Sequence, residues 1–470
     1  MKRVLLLWLA FVPAALPLEA LPQGAAVDRP DVLFIAIDDM NDWISLLDPT
    51  SPIKTPNLER LAGRGVLFTR AYCISAACNP SRVALLSGLR PSTTGVYSNN
   101  VDWRRKLPGR RTLMQQFMEH GYEVRGAGKI FHHKGKHFHD EASFHDFQGM
   151  AAQNMPPRKL NQGPGYGSRN TDWGVWPADE KDTIDFRTAD YCIEALSNPP
   201  ADKPLFLACG IFKPHSPFFA PPQYHRGTEG ITPPPRKTND WRDLPSGAQA
   251  LMKGTRWFWN GMMTLDRRLP GSLTGFVQAY AACCRFADAQ VGRVLTALDE
   301  SPRREQTIVV LWSDHGFHLG EKDHIEKFAL WEKSNHVPFI VVVPEGVQAQ
   351  LGGSWKGAPG ARCERPVDLS VVYPTLLELC RLTSAECDGV SVLPLLRDPV
   401  AAWERPALMT YRAGNHAVRS ERWRYIRYAD GSEELYDHED DPHEWHNLAD
   451  RTGLAPVKQQ HRKWIPAHEE

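Results

Sequence analysis

The chain has 470 residues, 42% of them hydrophobic and 23% charged, which is enough to bury a large core and too long for one small domain. Its 55 basic residues match 55 acidic ones, so net charge gives no reason to expect nucleic acid or a membrane surface as the partner.

The first twenty residues predict an export signal. Lys2 and Arg3 precede an apolar stretch from Val4 to Leu18, with Ala20 or Ala26 as the cleavage position, and the stretch is too short to span a bilayer. No later segment has the length and apolarity of a transmembrane helix. The expectation is an exported protein, periplasmic or secreted, without stable membrane insertion. Continuous apolar runs come next at "VLFIAI" (32–37), "LFLACGI" (205–211), "TIVVLW" (307–312) and "PFIVVV" (338–343), the pattern of strands buried on both faces. Helical periodicity between them, clearest over 275–300, predicts an α/β fold with a mainly parallel sheet. Residues 145–182 and 213–250, rich in Pro, Gly and Trp, predict long surface loops. Toward the C-terminus the pattern changes to short alternating stretches with turns, including Asp430-Gly431. This predicts a catalytic domain over 27–398 and a small antiparallel sheet subdomain over 399–470.

The residues just beyond each strand carry the chemistry. Asp38 and Asp39 come after the first run. A weaker strand at 122–128 leads to Lys129 and His132. Lys213 and His215 lie beyond the run at 205–211, and Ser313, Asp314 and His315 beyond that at 307–312. Ligands of open α/β sheets sit beyond the carboxyl ends of the strands, so four segments deliver acids, lysines and histidines to one edge. Asp38, Asp39 and Asp314 would repel each other there unless a cation joins them, and hard oxygen donors suit Ca²⁺ or Mg²⁺. Imidazole is not a favoured Ca²⁺ ligand, so His315 either binds an oxyanion or takes a weakly held corner of the site. Cys78 stands where a helix N-terminus begins, and unpaired N–H groups favour an anion there. Arg82, one turn on, can pair with Cys78 chemistry or with a bound oxyanion. His132, His215, Lys129 and Lys327 add positive charge and donors. This set suits the cleavage of a tetrahedral anionic ester. The nine cysteines are an odd number, which leaves one unpaired in an oxidising compartment. Cys380 and Cys387 are spaced for a short local loop, and no spacing points to structural zinc.

"CNPSRVALLSG" (78–88) resembles the sulfatase signature, in which C-x-P-S-R opens an apolar helix. "VLFIAIDDMND", "GKIFH", "KPHSPF", "SDHGFHLGE" and "ELYDHEDDPHEWHNL" resemble further sulfatase segments, so the resemblance covers nearly the whole chain. The combination is most similar to the iduronate-2-sulfatase branch. The resemblance implies an alkaline-phosphatase-like fold and a formylglycine made from Cys78 by a formylglycine-generating enzyme. It implies Ca²⁺ surrounded by Asp38, Asp39, Asp314, His315 and the modified Cys78; many arylsulfatases have Asn at the position of His315. Arg82 would stabilise the formylglycine hydrate, and Lys129, His132, His215 and Lys327 would grip the sulfate or the leaving oxygen. The implied reaction is attack of that hydrate on sulfur, with His215 protonating the departing alcohol and sulfate released last. The substrate would be a sulfated carbohydrate such as a glycosaminoglycan. Two other readings stay open: a phosphonate or phosphate ester hydrolase of the same fold, and a non-catalytic binder of sulfated glycans that stacks sugars on Trp103, Trp173 or Trp176.

Overall fold

The apolar runs form strands whose alternate side chains enter opposite faces of one sheet, as a period of two requires. In β1 (Asp31–Asp38) of the computed structural model, Val32, Phe34 and Ala36 join one core while Leu33, Ile35 and Ile37 join the other. The structure describes residues 29–132, 140–150, 154–163, 171–357, 359–383 and 385–467. The predicted export signal and most of the basic run 132–139 lie outside the described residues.

Seven further strands complete the sheet: β2 (Val66–Phe68), β3 (Glu123–Gly128), β4 (Asp146–Gln148), β5 (Leu205–Pro214), β6 (Thr307–Ser313), β7 (Phe339–Val342) and β8 (Ala361–Cys363). Their spatial order is β8-β2-β7-β6-β1-β5-β3-β4. Only β7 runs antiparallel to its neighbours, β2 and β6; the other pairs are parallel. Because β6, β1, β5 and β3 are adjacent and parallel, their carboxyl ends share one edge.

Three helices matter for the site. They are α1 (Cys78–Ser87), α2 (Ile184–Ser197) and α3 (Ser272–Glu300). The predicted loops at 145–182 and 213–250 contain only short elements in their described parts, such as Trp173–Val175 and Phe218–Ala220, which pair with each other.

A second sheet has four antiparallel strands: β9 (Ala407–Thr410), β10 (His416–Arg419), β11 (Trp423–Arg427) and β12 (Glu433–Asp437). Asp430 and Gly431 turn β11 into β12, with Gly431 at φ +85°, a conformation that costs glycine little. This sheet does not stand apart. Met409, Ile426 and Tyr436 enter the same core as Phe34 and Trp312. Fully buried Arg424 crosses the junction. It donates to the Leu330 carbonyl at 2.9 Å, pairs with Glu332, and lies 2.6 Å from Glu444. The Trp331 indole N–H donates to Glu434 at 2.8 Å.

All nine cysteines are unpaired, which corrects the expected Cys380–Cys387 loop. Cys380 is buried with its thiol on the Tyr122 hydroxyl, whereas the Cys387 thiol donates to the Gly389 carbonyl at 3.6 Å. Their nearness in sequence does not survive packing, and buried Cys380 behaves as a small hydrophobe.

Replacing Arg424 by Met should leave Glu332 and Glu444 buried without their shared cation. Breaking a buried pair in this way costs about 3–5 kcal/mol. Urea unfolding should therefore show a loss of that order for R424M, and a loss within error would refute the junction.

Candidate active site

Asp38 closes β1, and Asp39 follows it at φ +64°, a region that Asp enters more readily than most residues. Neighbours hold that turn. The Asp39 N–H donates to Asp314 Oδ1 at 3.2 Å, and the Tyr280 hydroxyl of α3 donates to the Asp39 carbonyl at 3.0 Å. At the end of β6, Ser313 Oγ donates to the His315 carbonyl and accepts the Met40 N–H, each at 3.1 Å.

Helix α1 brings Cys78 to this edge. Cys78 is its first residue, Ala77 before it offers no capping side chain, and all ten helical residues are buried. The cap comes from elsewhere. Asn99 Oδ1 accepts the Asn79 N–H at 3.0 Å, and the Asn79 amide donates to the carbonyls of Ser98 at 3.1 Å and Val101 at 3.0 Å. Ser81 Oγ donates to the Asp314 carbonyl at 2.6 Å. Arg82 donates from Nε to Asp314 Oδ2 at 2.7 Å, from Nη2 to Asp38 Oδ1 at 3.4 Å, and from Nη1 to the carbonyls of Lys129 and Ile130. Arg82 is thus a strut between the helix and three strand ends, and Ser81 a tie beside it.

The thiol of Cys78 sits among cations. His315 Nε2 and Lys327 Nζ each lie 3.2 Å from Sγ, and Lys129 Nζ lies 3.7 Å away. Lys129 also pairs with Asp38, and Lys327 reaches both oxygens of Asp39 at 2.8 and 3.2 Å. Burial opposes ionisation of Cys78, but Lys129, Lys327, His315 and a hydrogen bond with His132 outweigh it and hold the thiol well below its ordinary range. For Asp38 too, burial is outweighed, chiefly by Lys129, and its carboxyl is held below the usual range. Burial lifts Asp314 to about 6 against the pull of Arg82. His315 rises to about 9, since Asp314 and Cys78 overcome its burial. Its Nδ1 faces the Gly316 carbonyl at 3.1 Å, so Nδ1 carries a proton and Nε2 addresses the thiol.

His215 stands at the half-buried rim. Its Nδ1 donates to the Ser216 carbonyl at 2.6 Å and its ring lies 4.7 Å from that of Phe212, which leaves Nε2 for a ligand. The structure therefore gathers Asp38, Asp39, Cys78, Arg82, Lys129, His132, Asp314, His315 and Lys327 around one thiol, with His215 beside them.

Other residues of this site carry no sequence signal of their own. His324 Nε2 donates to the Lys327 carbonyl at 2.7 Å, fixing a loop in which Glu326 and Phe328 both have positive φ. Asp185 accepts the N–H groups of Phe212 at 2.6 Å and Lys213 at 2.9 Å, and Lys213 in turn donates to the His215 carbonyl at 3.1 Å. Two of the three tryptophans considered for sugar stacking are buried. Trp103 stacks on Phe131 with centroids 5.6 Å apart, and Trp173 meets Phe276 edge-on. Trp176 is partly exposed and donates to the Asn154 carbonyl.

Asp38, Asp39, Cys78 and His315 each offer a ligand atom within 4.8 Å of the others, all buried. Converging carboxylate oxygens are the donor chemistry of a hard divalent cation, so these residues fit one. Asp314 adjoins the group through its contact with His315 Nε2 at 3.6 Å.

The sulfatase family model matches residues 30–382. The chain belongs to the sulfatase family. A second model, described as the C-terminal part of N-sulphoglucosamine sulphohydrolase, matches residues 320–469. A sulfatase of Formosa agariphila is 37% identical over 90% of this chain and 83% of its own. Human iduronate 2-sulfatase is 29% identical over 80% of this chain and 74% of its own. In fold, this sulfatase is similar to the phosphonate monoester hydrolase of Agrobacterium radiobacter, with a TM-score of 0.71, 20% identity and coverage of 93% and 94% of the two chains. It is a sulfuric ester hydrolase built on a large, mainly parallel sheet. No helix among the described residues is long and apolar enough to cross a membrane.

The surrounding cations set a measurable property of the unmodified protein. With chelator present at pH 7, wild type should show a thiolate absorbance at about 240 nm that Cys78→Ser lacks, and the band should persist to pH values well below the ordinary thiol pKa of about 8.5. A midpoint in the ordinary range would overturn this electrostatic account.

Proposed function

We propose that this sulfatase hydrolyses a sulfate ester on a sulfated sugar. In this reading Cys78 is converted to formylglycine by a formylglycine-generating enzyme, and the protein works after export to the periplasm or outside. Asp38, Asp39, Asp314, His315 and the modified Cys78 would hold Ca²⁺. One observation carries the reading: Cys78 opens a buried helix with Lys327 and His315 each 3.2 Å from its Sγ. A formylglycine hydrate there would supply the nucleophilic hydroxyl and a second hydroxyl for releasing sulfate. Ca²⁺ would supply positive charge that polarises the sulfate oxygens.

The chain's own residues do the rest. Lys129 and Lys327 are anchored on Asp38 and Asp39 with little freedom, so they can meet a sulfate oxygen without reorganising, the condition under which fixed charges stabilise a transition state most. His315 Nε2 faces the nucleophilic position, where it would join Ca²⁺ as a neutral imidazole held by the contact of its Nδ1 with the Gly316 carbonyl. His215, its Nδ1 proton tied to a carbonyl, presents Nε2 at the rim, where it can protonate the departing alcohol. Burial of the thiol position excludes bulk water. The similarity to human iduronate 2-sulfatase supports a sugar as the alcohol, including a sulfated polysaccharide such as a glycosaminoglycan.

The first test is a mass spectrum of the tryptic peptide 71–82 from a host that carries the modifying enzyme. It should show an aldehyde at Cys78, trapped by a hydrazide, with Cys73 still a thiol. An intact thiol at both positions would remove the formylglycine step. Cys78→Ala should abolish turnover of aryl and sugar sulfates while its unfolding curve matches wild type. Paired rates on an aryl sulfate and an aryl phosphate decide between this reading and phosphate or phosphonate ester hydrolysis. Asp39→Asn should weaken Ca²⁺ binding in a calorimetric titration, and an unchanged isotherm would refute the metal assignment.

A further inference from the structure

We infer that Arg412, at the tip of the β9–β10 hairpin, is a specificity-determining residue that grips a second anionic group of the substrate, a carboxylate or a further sulfate. The inference rests on the proposed sulfate-ester reading and deepens it.

A chain of contacts links Arg412 to the reacting centre. The Thr410 N–H at the end of β9 donates to the Ile74 carbonyl at 2.9 Å, four residues before Cys78. Next along the hairpin, the Tyr411 ring is buried and lies 5.7 Å from the ring of Phe328. Phe328 donates its N–H to the Ala76 carbonyl at 3.0 Å and directly follows Lys327, whose ammonium touches Cys78. The second sheet thus forms part of the wall around the thiol, and Arg412 is the next residue beyond that wall.

Three features separate Arg412 from an ordinary surface arginine. Its backbone is left-handed at φ +59°, a conformation that glycine adopts freely and arginine does not. Such strain is kept where the surrounding structure fixes it, and here it does. The Tyr411 N–H bonds the Asn415 carbonyl at 3.1 Å, and Asn415 Oδ1 accepts the Ala429 N–H at 3.1 Å. The guanidinium is also oriented. It lies 5.7 Å from the centre of the Tyr411 ring and shares a hydrogen bond with that side chain. Finally, Arg419 and Arg424 are engaged with Glu332, and Arg422 with Asp437. Arg412 is exposed and, among the described residues, is met by no carboxylate.

The charges deeper in the site are already committed to Asp38, Asp39 and one transferring sulfate. An oriented cation at the rim matches a second negative group on the same sugar, and a guanidinium binds carboxylate and sulfate by the same paired donors.

The test compares wild type, R412G and R412K, all carrying the modification, on three substrates: nitrophenyl sulfate, a sulfated uronic acid and a disulfated hexosamine. R412G removes the guanidinium while relieving the backbone, so the fold is kept. Loss of a charge-assisted contact should raise KM about tenfold or more for one of the two doubly charged sugars, leaving kcat within about twofold and nitrophenyl sulfate unaffected. The sugar that suffers tells a carboxylate from a second sulfate, and R412K should recover part of the loss. Equal changes on all three substrates, or none on any, would overturn the inference. If wild type turns over none of them, the sulfate-ester reading falls. Calorimetric titration of the same sugars into wild type and R412G then still decides: weaker binding of a doubly charged sugar to R412G supports Arg412, and equal binding refutes it.

Discussion

Burial of three carboxylates at the end of a parallel sheet is the constraint on which the rest of this structure turns. Asp38, Asp39 and Asp314 have no exposed surface, and charges taken out of water are tolerated only when paired and hydrogen-bonded. Arg82 answers for two of them at once, and Lys129 and Lys327 for Asp38 and Asp39. Since Arg82 lies one turn along α1, the bond that neutralises the acids also fixes the helix against the strand ends. The position of Cys78 is a consequence of that bond. The lysines that balance the acids are the same groups that face the thiol, so stability and chemistry draw on one set of charges. The junction to the second sheet repeats the solution, with Arg424 set between Glu332 and Glu444.

Much of this is legible in the sequence because parallel strands make position along the chain informative. Asp38, Lys129, His215 and Asp314 each stand at or just beyond a strand end, and adjacent parallel strands end at one edge whatever their order. Lys327 lies outside that logic, because it ends no strand of the large sheet, and family resemblance is what gives it a role. Cys78 is legible through the motif around it.

The illegible part depends on partners distant in the chain. Nothing in the sequence says that Arg82 spends its donors on strand ends, that Tyr280 steadies Asp39 through a carbonyl, or that His324 fixes the backbone of Lys327. Tyr280 and His324 act through backbone carbonyls, which leave no residue-type signature, and the groups that Arg82 meets are far from it in the chain. Spacing misleads for Cys380 and Cys387, because packing in separate surroundings outweighs seven residues of proximity. Composition misleads for Trp103 and Trp173, whose neighbourhoods resemble loops while their rings are buried.

The hairpin at Tyr411 sets a condition on when the protein can act at all. Its residues follow every strand of the large sheet in the chain, yet they touch Ile74, just before α1, and Phe328, just after Lys327. A polypeptide released early would hold the acids, the lysines and the thiol and still lack one wall of its own pocket. Competence is therefore deferred until synthesis has passed this hairpin, well after every strand of the large sheet has been made.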